Sequence, residues 1–301
     1  MIRKLIFSTC LLLLLHIPAH GQEGLFTDEI GRKVRIPNSP KRIVSMAPNL
    51  TEILFILGLQ EEIVGVTDFC DYPEAALTKQ RIGGYVNPSI EKIVSLKPDL
   101  ILGIKEGNRR DTVQRLSDLG FSVYVVDPVG FEGIIKTIDH IGEVVRRREK
   151  SAEIIRKMTK KKEAVVRLTR SLPRPKVFFQ IGFSPIVTVG KGSLGDDLIR
   201  LAGGRSISEN ESGSYPVYGV ETILSKAPEV IILSSMDSKR DYLNLMKMWQ
   251  SWKELPAVKT NAIYVIDSNL VDRPTPRAVE GLEAMAGMIH PEISFHSSKR
   301  N

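Results

Sequence analysis

Apolar positions along this chain keep two rhythms. Ile63–Val66, Leu100–Ile104, Val123–Val126 and Val230–Leu233 are branched and apolar almost without a break, as in strands covered on both faces. Between such runs, apolar residues recur at i, i+3 and i+4, which makes amphipathic helices. The alternation predicts an α/β fold of mainly parallel sheets flanked by helices. In the first part, strands are expected at Arg42–Ser45, Ile63–Val66, Leu100–Ile104 and Val123–Val126. Asn49 and Glu52 form a capping box for a helix that Gly58 ends, Ser89 caps a second, and Asp111–Leu119 is a third. Phe131–Val145 and Lys150–Leu172 then read as two helices with no strand signal, the second closed by Pro173 and Pro175. The plan resumes with strands at Lys176–Gln180, Ile186–Val189, Val230–Leu233 and Ile263–Ile266. Helices are expected at Leu194–Ala202, around Tyr242–Gln250 and at Pro276–His290.

One stretch occurs twice. Residues 90–102 read IEKIVSLKPDLIL, and residues 220–232, 130 positions on, read VETILSKAPEVII. Each copy is a short amphipathic helix, ended by Pro, that runs into a buried strand. A fixed offset of this length predicts two similar lobes with a ligand cleft between them. The expected division is 1–21 targeting segment, 22–145 first lobe, 146–172 linker helix, 173–295 second lobe and 296–301 tail. Glu91 and Glu221 occupy the same place in the first turn of the two repeat helices. An acid there complements the helix dipole, whatever else it does.

The chain begins as an exported protein does. Arg3 and Lys4 precede an apolar core, Leu5–Ile17, and Ala19-His20-Gly21 supplies the small residues of a cleavage site. The core falls short of the roughly 20 residues a membrane helix needs. Cleavage near Gly21 and a periplasmic product are expected. Cys10 leaves with the leader, so Cys70 has no disulfide partner and reads as a small buried hydrophobe. The formal charge of +7 is local: residues 146–176 hold 13 Lys and Arg against three Glu, and the rest of the mature chain is mildly acidic. That segment has no interleaved aromatics, so a solvated basic helix is expected and nucleic acid is not.

Catalytic motifs are missing. Gly190-Lys191-Gly192-Ser193 lacks the spacing of a phosphate loop and reads as a turn with Ser193 as helix cap. There is no nucleophile elbow and no HExxH pair. The mature histidines, His140, His290 and His296, are too few and too scattered for a transition-metal site. An enzyme that processes a cofactor would need a nucleophile beside a base, which no motif supplies. A protein that is not an enzyme, with no catalytic cofactor or metal, is therefore expected.

The segments RIVSMAPNLTEILFILG at 42–58, DYP at 71–73, IEKIVSLKPDLIL at 90–102, VFFQIGFSPIVTVGKGSL at 177–194, YP at 215–216 and DRPTPR at 272–277 occur in that order. Together they resemble the helical-backbone class (class III) of ABC-importer substrate-binding proteins, and within it the corrinoid carriers. The resemblance implies two Rossmann-like lobes joined by one long α-helix. It also implies delivery of a corrinoid (cobalamin or a relative) to a permease and its ATPase subunits, by a carrier expected to be monomeric. Haem and ferric siderophores are the alternative ligands. By the same resemblance Phe69, Tyr85 and Tyr215 sandwich the ligand, Arg273 reaches it, and Glu91 and Glu221 dock on permease arginines. Rigid rings and a multi-donor guanidinium suit a flat macrocycle with an amide rim. The alternative makes Phe69 and Tyr85 core aromatics and Arg273 a surface charge. Ile104 stands where the corrinoid carriers have a Trp, and Asn269 where they have an Asp. Haem carriers of the class use an iron-ligating Tyr one position from the register of Tyr85.

Overall fold

The computed structural model describes residues 23–234 and 239–293; the expected targeting segment and tail lie outside them. The described residues open with a hairpin, β1 (Glu23–Thr27) against β2 (Lys33–Pro37). In β2 Val34 and Ile36 point into the core while Lys33 and Arg35 face solvent, the period of two of a half-buried strand. Next come β3 (Ile43–Ser45), α1 (Pro48–Ile56), β4 (Ile63–Val66), α2 (Ile90–Ser95), β5 (Leu100–Ile104), α3 (Arg110–Asp118) and β6 (Val123–Val126). These four strands form a parallel sheet in the order β4-β3-β5-β6.

Two helices follow, α4 (Gly130–Val144) and α5 (Arg148–Thr169). Arg146, left-handed at φ 57°, breaks one from the other. At 22 residues, α5 is about 33 Å long. The second half contains β7 (Lys176–Gly182), β8 (Val187–Thr188), α6 (Leu194–Leu201), β9 (Arg205–Ser206), α7 (Val220–Lys226), β10 (Val230–Leu233), α8 (Lys239–Gln250), α9 (Pro256–Lys259), β11 (Ile263–Val265), α10 (Ser268–Val271) and α11 (Ala278–Ile289). Its sheet runs β11-β10-β7, with β8 antiparallel and β9 parallel on the far side of β7. Both sheets thus place the repeat strand, β5 or β10, directly beside the first strand, β3 or β7.

The repeat is physical as well as textual. Both repeat helices end at a left-handed residue, Lys97 at φ 46° and Ala227 at φ 49°, which turns the chain into the strand. Asp99 then accepts hydrogen bonds from the backbone N–H of Lys41 and Arg42, at 2.7 and 2.9 Å. Glu229 does the same for the N–H of Lys176, at 2.8 Å. In each half a carboxylate therefore pins the start of the first strand to the start of its neighbour.

Helix α1 departs from expectation. It starts at Pro48 with Ala47 as N-cap and no side-chain cap, because Pro at the first helical position pre-sets φ. Asn49 consequently lies inside the first turn. Glu52 does not reach back to the helix start but pairs with Arg277. The predicted Ser89 and Ser193 caps do form, on the N–H of Lys92 and Asp196.

One apolar cluster is common to the two halves, beside a smaller one within each. Leu54, Ile138, Met158, Val165, Leu198 and Met285 belong to a single buried cluster that runs from the first sheet through α4 and α5 to α6 and α11. Asp197 of α6 also accepts the N–H of Phe131, at the start of α4, at 3.0 Å.

Candidate functional site

The carboxyl ends of β3 and β5 face those of the second half across a cleft, the place where open α/β sheets take ligands. A cavity of about 590 Å³ opens there, lined by Phe69, Tyr85, Val86 and Ile104 on one side and by Asp272 and Arg273 on the other. A smaller hollow of about 260 Å³ continues into the second half, past Asp272, to Tyr215, Phe179 and Leu194. Together they make a pocket toward the upper end of the usual small-molecule range.

Of the four residues expected to touch ligand, Phe69, Tyr85 and Arg273 line the first cavity and Tyr215 the second. Phe69 is 57 % exposed and Tyr215 48 %, so the reading of Phe69 as a core aromatic fails and both rings are free to be covered. Tyr85 is held more firmly. Its hydroxyl donates to the Glu106 carbonyl, and its ring packs over Gly107, at φ 121°, where a Cβ would run into it. Burial, with Glu106 and Tyr215 nearby, pushes the Tyr85 hydroxyl up to about 12.

Asn108, which no motif singles out, fixes this wall. Its amide donates to the carbonyls of Met46 and Tyr85, at 2.9 and 3.0 Å, and its oxygen accepts the Ile104 N–H at 2.7 Å. One buried side chain thereby ties together three loops of the cleft. Asn108 follows a predicted strand, and a polar residue in a βα loop is the only local signal of its role.

Arg273 is not an idle cation awaiting ligand. It donates to Asp71 at 2.7 Å and lies 3.9 Å from Glu52, with its side chain 12 % exposed. Four residues on, Arg277 makes two 2.8 Å bonds to Glu52 and stacks 3.9 Å from the centroid of Tyr72. Two arginines of the second half therefore grip two acids and an aromatic of the first, across the cleft. Burial raises the Glu52 carboxyl although both arginines oppose the shift. Burial also raises Asp272, to about 6, against the pull of Ser234, which donates to it at 2.7 Å, and of Arg273.

Glu91 and Glu221 sit in the first turns of α2 and α7, away from the cavity linings. The Ser89 hydroxyl donates to Glu91 at 2.9 Å, and this bond with the backbone holds the Glu91 carboxyl below its usual range. Cys70 is 1 % exposed. Its sulfur contacts the Thr51 and Thr67 hydroxyls at 3.1 and 3.2 Å, and burial raises its thiol, so it serves packing. Neither Trp is in the cleft: Trp249 is buried edge-on against Phe178, and its indole N–H donates to Gln180. Among the described residues no group of three His, Cys, Asp or Glu could hold a metal ion, and no helix is long and apolar enough to cross a membrane.

Residues 43–270 match the periplasmic binding protein family. The chain belongs to that family. A vitamin B12-binding protein of Vibrio vulnificus is 29 % identical over 244 residues, which cover 81 % of this chain and 88 % of the relative. An ABC transporter substrate-binding lipoprotein of Bacillus subtilis is 28 % identical over 272 residues, 88 % of this chain and 85 % of the relative. Among solved structures, the periplasmic vitamin B12-binding protein of Vibrio cholerae superposes with a TM-score of 0.73 at 29 % identity, covering 84 % of this chain and 98 % of the other. This periplasmic binding protein is thus a substrate carrier for an ABC importer, which works with a permease and its ATPase, and not an enzyme. The expected two-lobed α/β fold is the fold of its relatives.

Proposed function

We propose that this periplasmic binding protein carries a corrinoid, cobalamin or a close relative, and that a cleaved leader over residues 1–21 places it in the periplasm. The cleft itself carries the reading. It is mainly apolar, with exposed aromatic rings from both halves and a narrow polar edge at Asp272 and Arg273. A flat macrocycle with an uncharged amide rim buries its faces on such rings and bonds at its edge. The names of the relatives from the two Vibrio species support the same ligand.

Haem is the weaker reading. Tyr85 is the residue nearest the register of a haem ligand, and iron binds the phenolate. Its hydroxyl is engaged with Glu106 and pushed up to about 12, which opposes ionisation. Both arginines at the cleft are already paired with acids, so their charge is balanced before haem carboxylates arrive, while Arg273 keeps donors for an uncharged amide rim.

Glu91 and Glu221 are the proposed contacts to the permease. The duplicated first-turn acid offers the same charge twice to an importer built from two like halves. Calorimetric titration of the protein lacking its first 21 residues with cyanocobalamin tests the ligand. One-to-one sub-micromolar binding is expected. Heat with haemin and none with cyanocobalamin overturns the corrinoid reading.

A further inference from the structure

The outer face of α5 takes no part in the cleft, and its charge is unmatched. Helix α5 begins where Arg147 approaches Glu62, at the amino end of β4, and ends seven residues before Lys176, at the amino end of β7. It therefore spans both halves on the side opposite the strand ends that form the cleft. The lysines on its flanks are paired. Lys150 and Lys157 share Glu153, Lys161 meets Glu283 and Lys162 meets Glu132.

The outward row differs. Arg156, Lys160, Arg167 and Arg170 are exposed, and none of them forms an ion pair within 4 Å among the described residues. Their spacings of four, seven and three residues put them on one face of the helix, over about 21 Å at the usual rise. Glu163 is the one acid within the row. At the start of α5, Arg146, Arg147, Arg148 and Lys150 surround a hollow of about 600 Å³ that also contains Glu149 and Glu153. Arg147, Arg148 and Lys150 are paired there, with Glu62, Glu143 and Glu153, so the unpaired row is confined to Arg156, Lys160, Arg167 and Arg170.

We propose that this face is an electrostatic contact surface for an anionic lipid bilayer. The face carries no aromatic ring, and its hollows are lined largely by charged side chains, so it offers little to a shaped protein partner, whose hot spots are large rings in pockets. A lipid surface needs only averaged positive charge, about 1 kcal/mol per cation. Contact there leaves the cleft, Glu91 and Glu221 free. It also accounts for the concentration of basic residues on one helix of an otherwise acidic carrier.

Flotation with vesicles of equal parts phosphatidylglycerol and phosphatidylcholine tests this directly. The protein lacking its first 21 residues is expected to float with the vesicles at low salt and to be released as salt shortens the screening length. It should ignore pure phosphatidylcholine. The variant Arg156→Gln, Lys160→Gln, Arg167→Gln, Arg170→Gln is expected to lose at least about 100-fold in partitioning, at roughly five-fold per cation. Its melting temperature should be little changed, since these side chains are exposed. No retention of the unaltered protein on anionic vesicles overturns the proposal, as does equal retention of the variant. Retention by polyglutamate but not by vesicles assigns the face to an acidic protein instead.

Discussion

Arg277→Ala tests the grip across the cleft. The substitution removes two 2.8 Å bonds to Glu52, whose side chain is only 3 % exposed. Arg273 cannot take over, because it lies 3.9 Å away and is held by Asp71 at 2.7 Å. Removing one partner of a buried pair costs about 3–5 kcal/mol, most of it from the stranded charge. At about 2 °C per kcal/mol for a protein of this size, the melting temperature should fall by roughly 6–10 °C at pH 7.5. The sign of the pH dependence follows from Glu52, already raised by burial and raised further once its arginine is gone. A carboxyl that binds its proton more tightly in the fold stabilises the fold at low pH and loses that contribution as pH rises through its folded value. The deficit of the variant should therefore shrink between pH 7.5 and pH 5. Calorimetric unfolding at both pH values is the assay, with Glu52→Gln as the milder comparison, since Arg277 keeps 16 % of its side chain in water. A fall of less than about 2 °C, or a deficit that does not change with pH, refutes the reasoning.

Asn108→Leu keeps the volume but strands three backbone groups. At about 1–3 kcal/mol per orphaned group, denaturant unfolding should show a loss of roughly 2–4 kcal/mol after partial rehydration, with weakened ligand binding. Asp272→Asn removes a carboxyl that burial raises to about 6. It should increase the melting temperature at pH 7.5, the gain fading as pH falls below about 6 and the native carboxyl takes its proton. Glu91→Arg with Glu221→Arg should leave calorimetric ligand affinity intact and abolish ligand-stimulated ATPase of the reconstituted importer; undiminished stimulation removes both residues from the docking face.

Local signals reached the repeat, the caps at Ser89 and Ser193 and the long helix, because each is settled within a few residues of chain. The strand Val230–Leu233 needed only its own branched run. The start of helix α1 is not decided locally, because Pro48 and Asn49 both suit it, and nothing nearby says that Glu52 belongs to Arg277, separated from it by 225 positions. Arg273 shows the same limit. Its place at the cleft was legible through resemblance, whereas its bond to Asp71 depends on how two distant loops meet. The β1–β2 hairpin went unread although Val34 and Ile36 alternate with Lys33 and Arg35, because five residues of alternation are weak beside the longer runs that follow.

The core that continues from the first sheet through α4 and α5 to α11 has a consequence for folding cooperativity. Two lobes joined by a bare linker would melt as separate units and could be expressed as separate fragments. Here Met158 and Val165 of α5 lie in the same cluster as residues of both halves, so separating the halves would open that shared cluster even though each keeps a smaller one of its own. Heating should give one calorimetric transition whose van't Hoff and measured enthalpies agree. Cutting the chain between α5 and β7 should yield pieces that fold only when mixed.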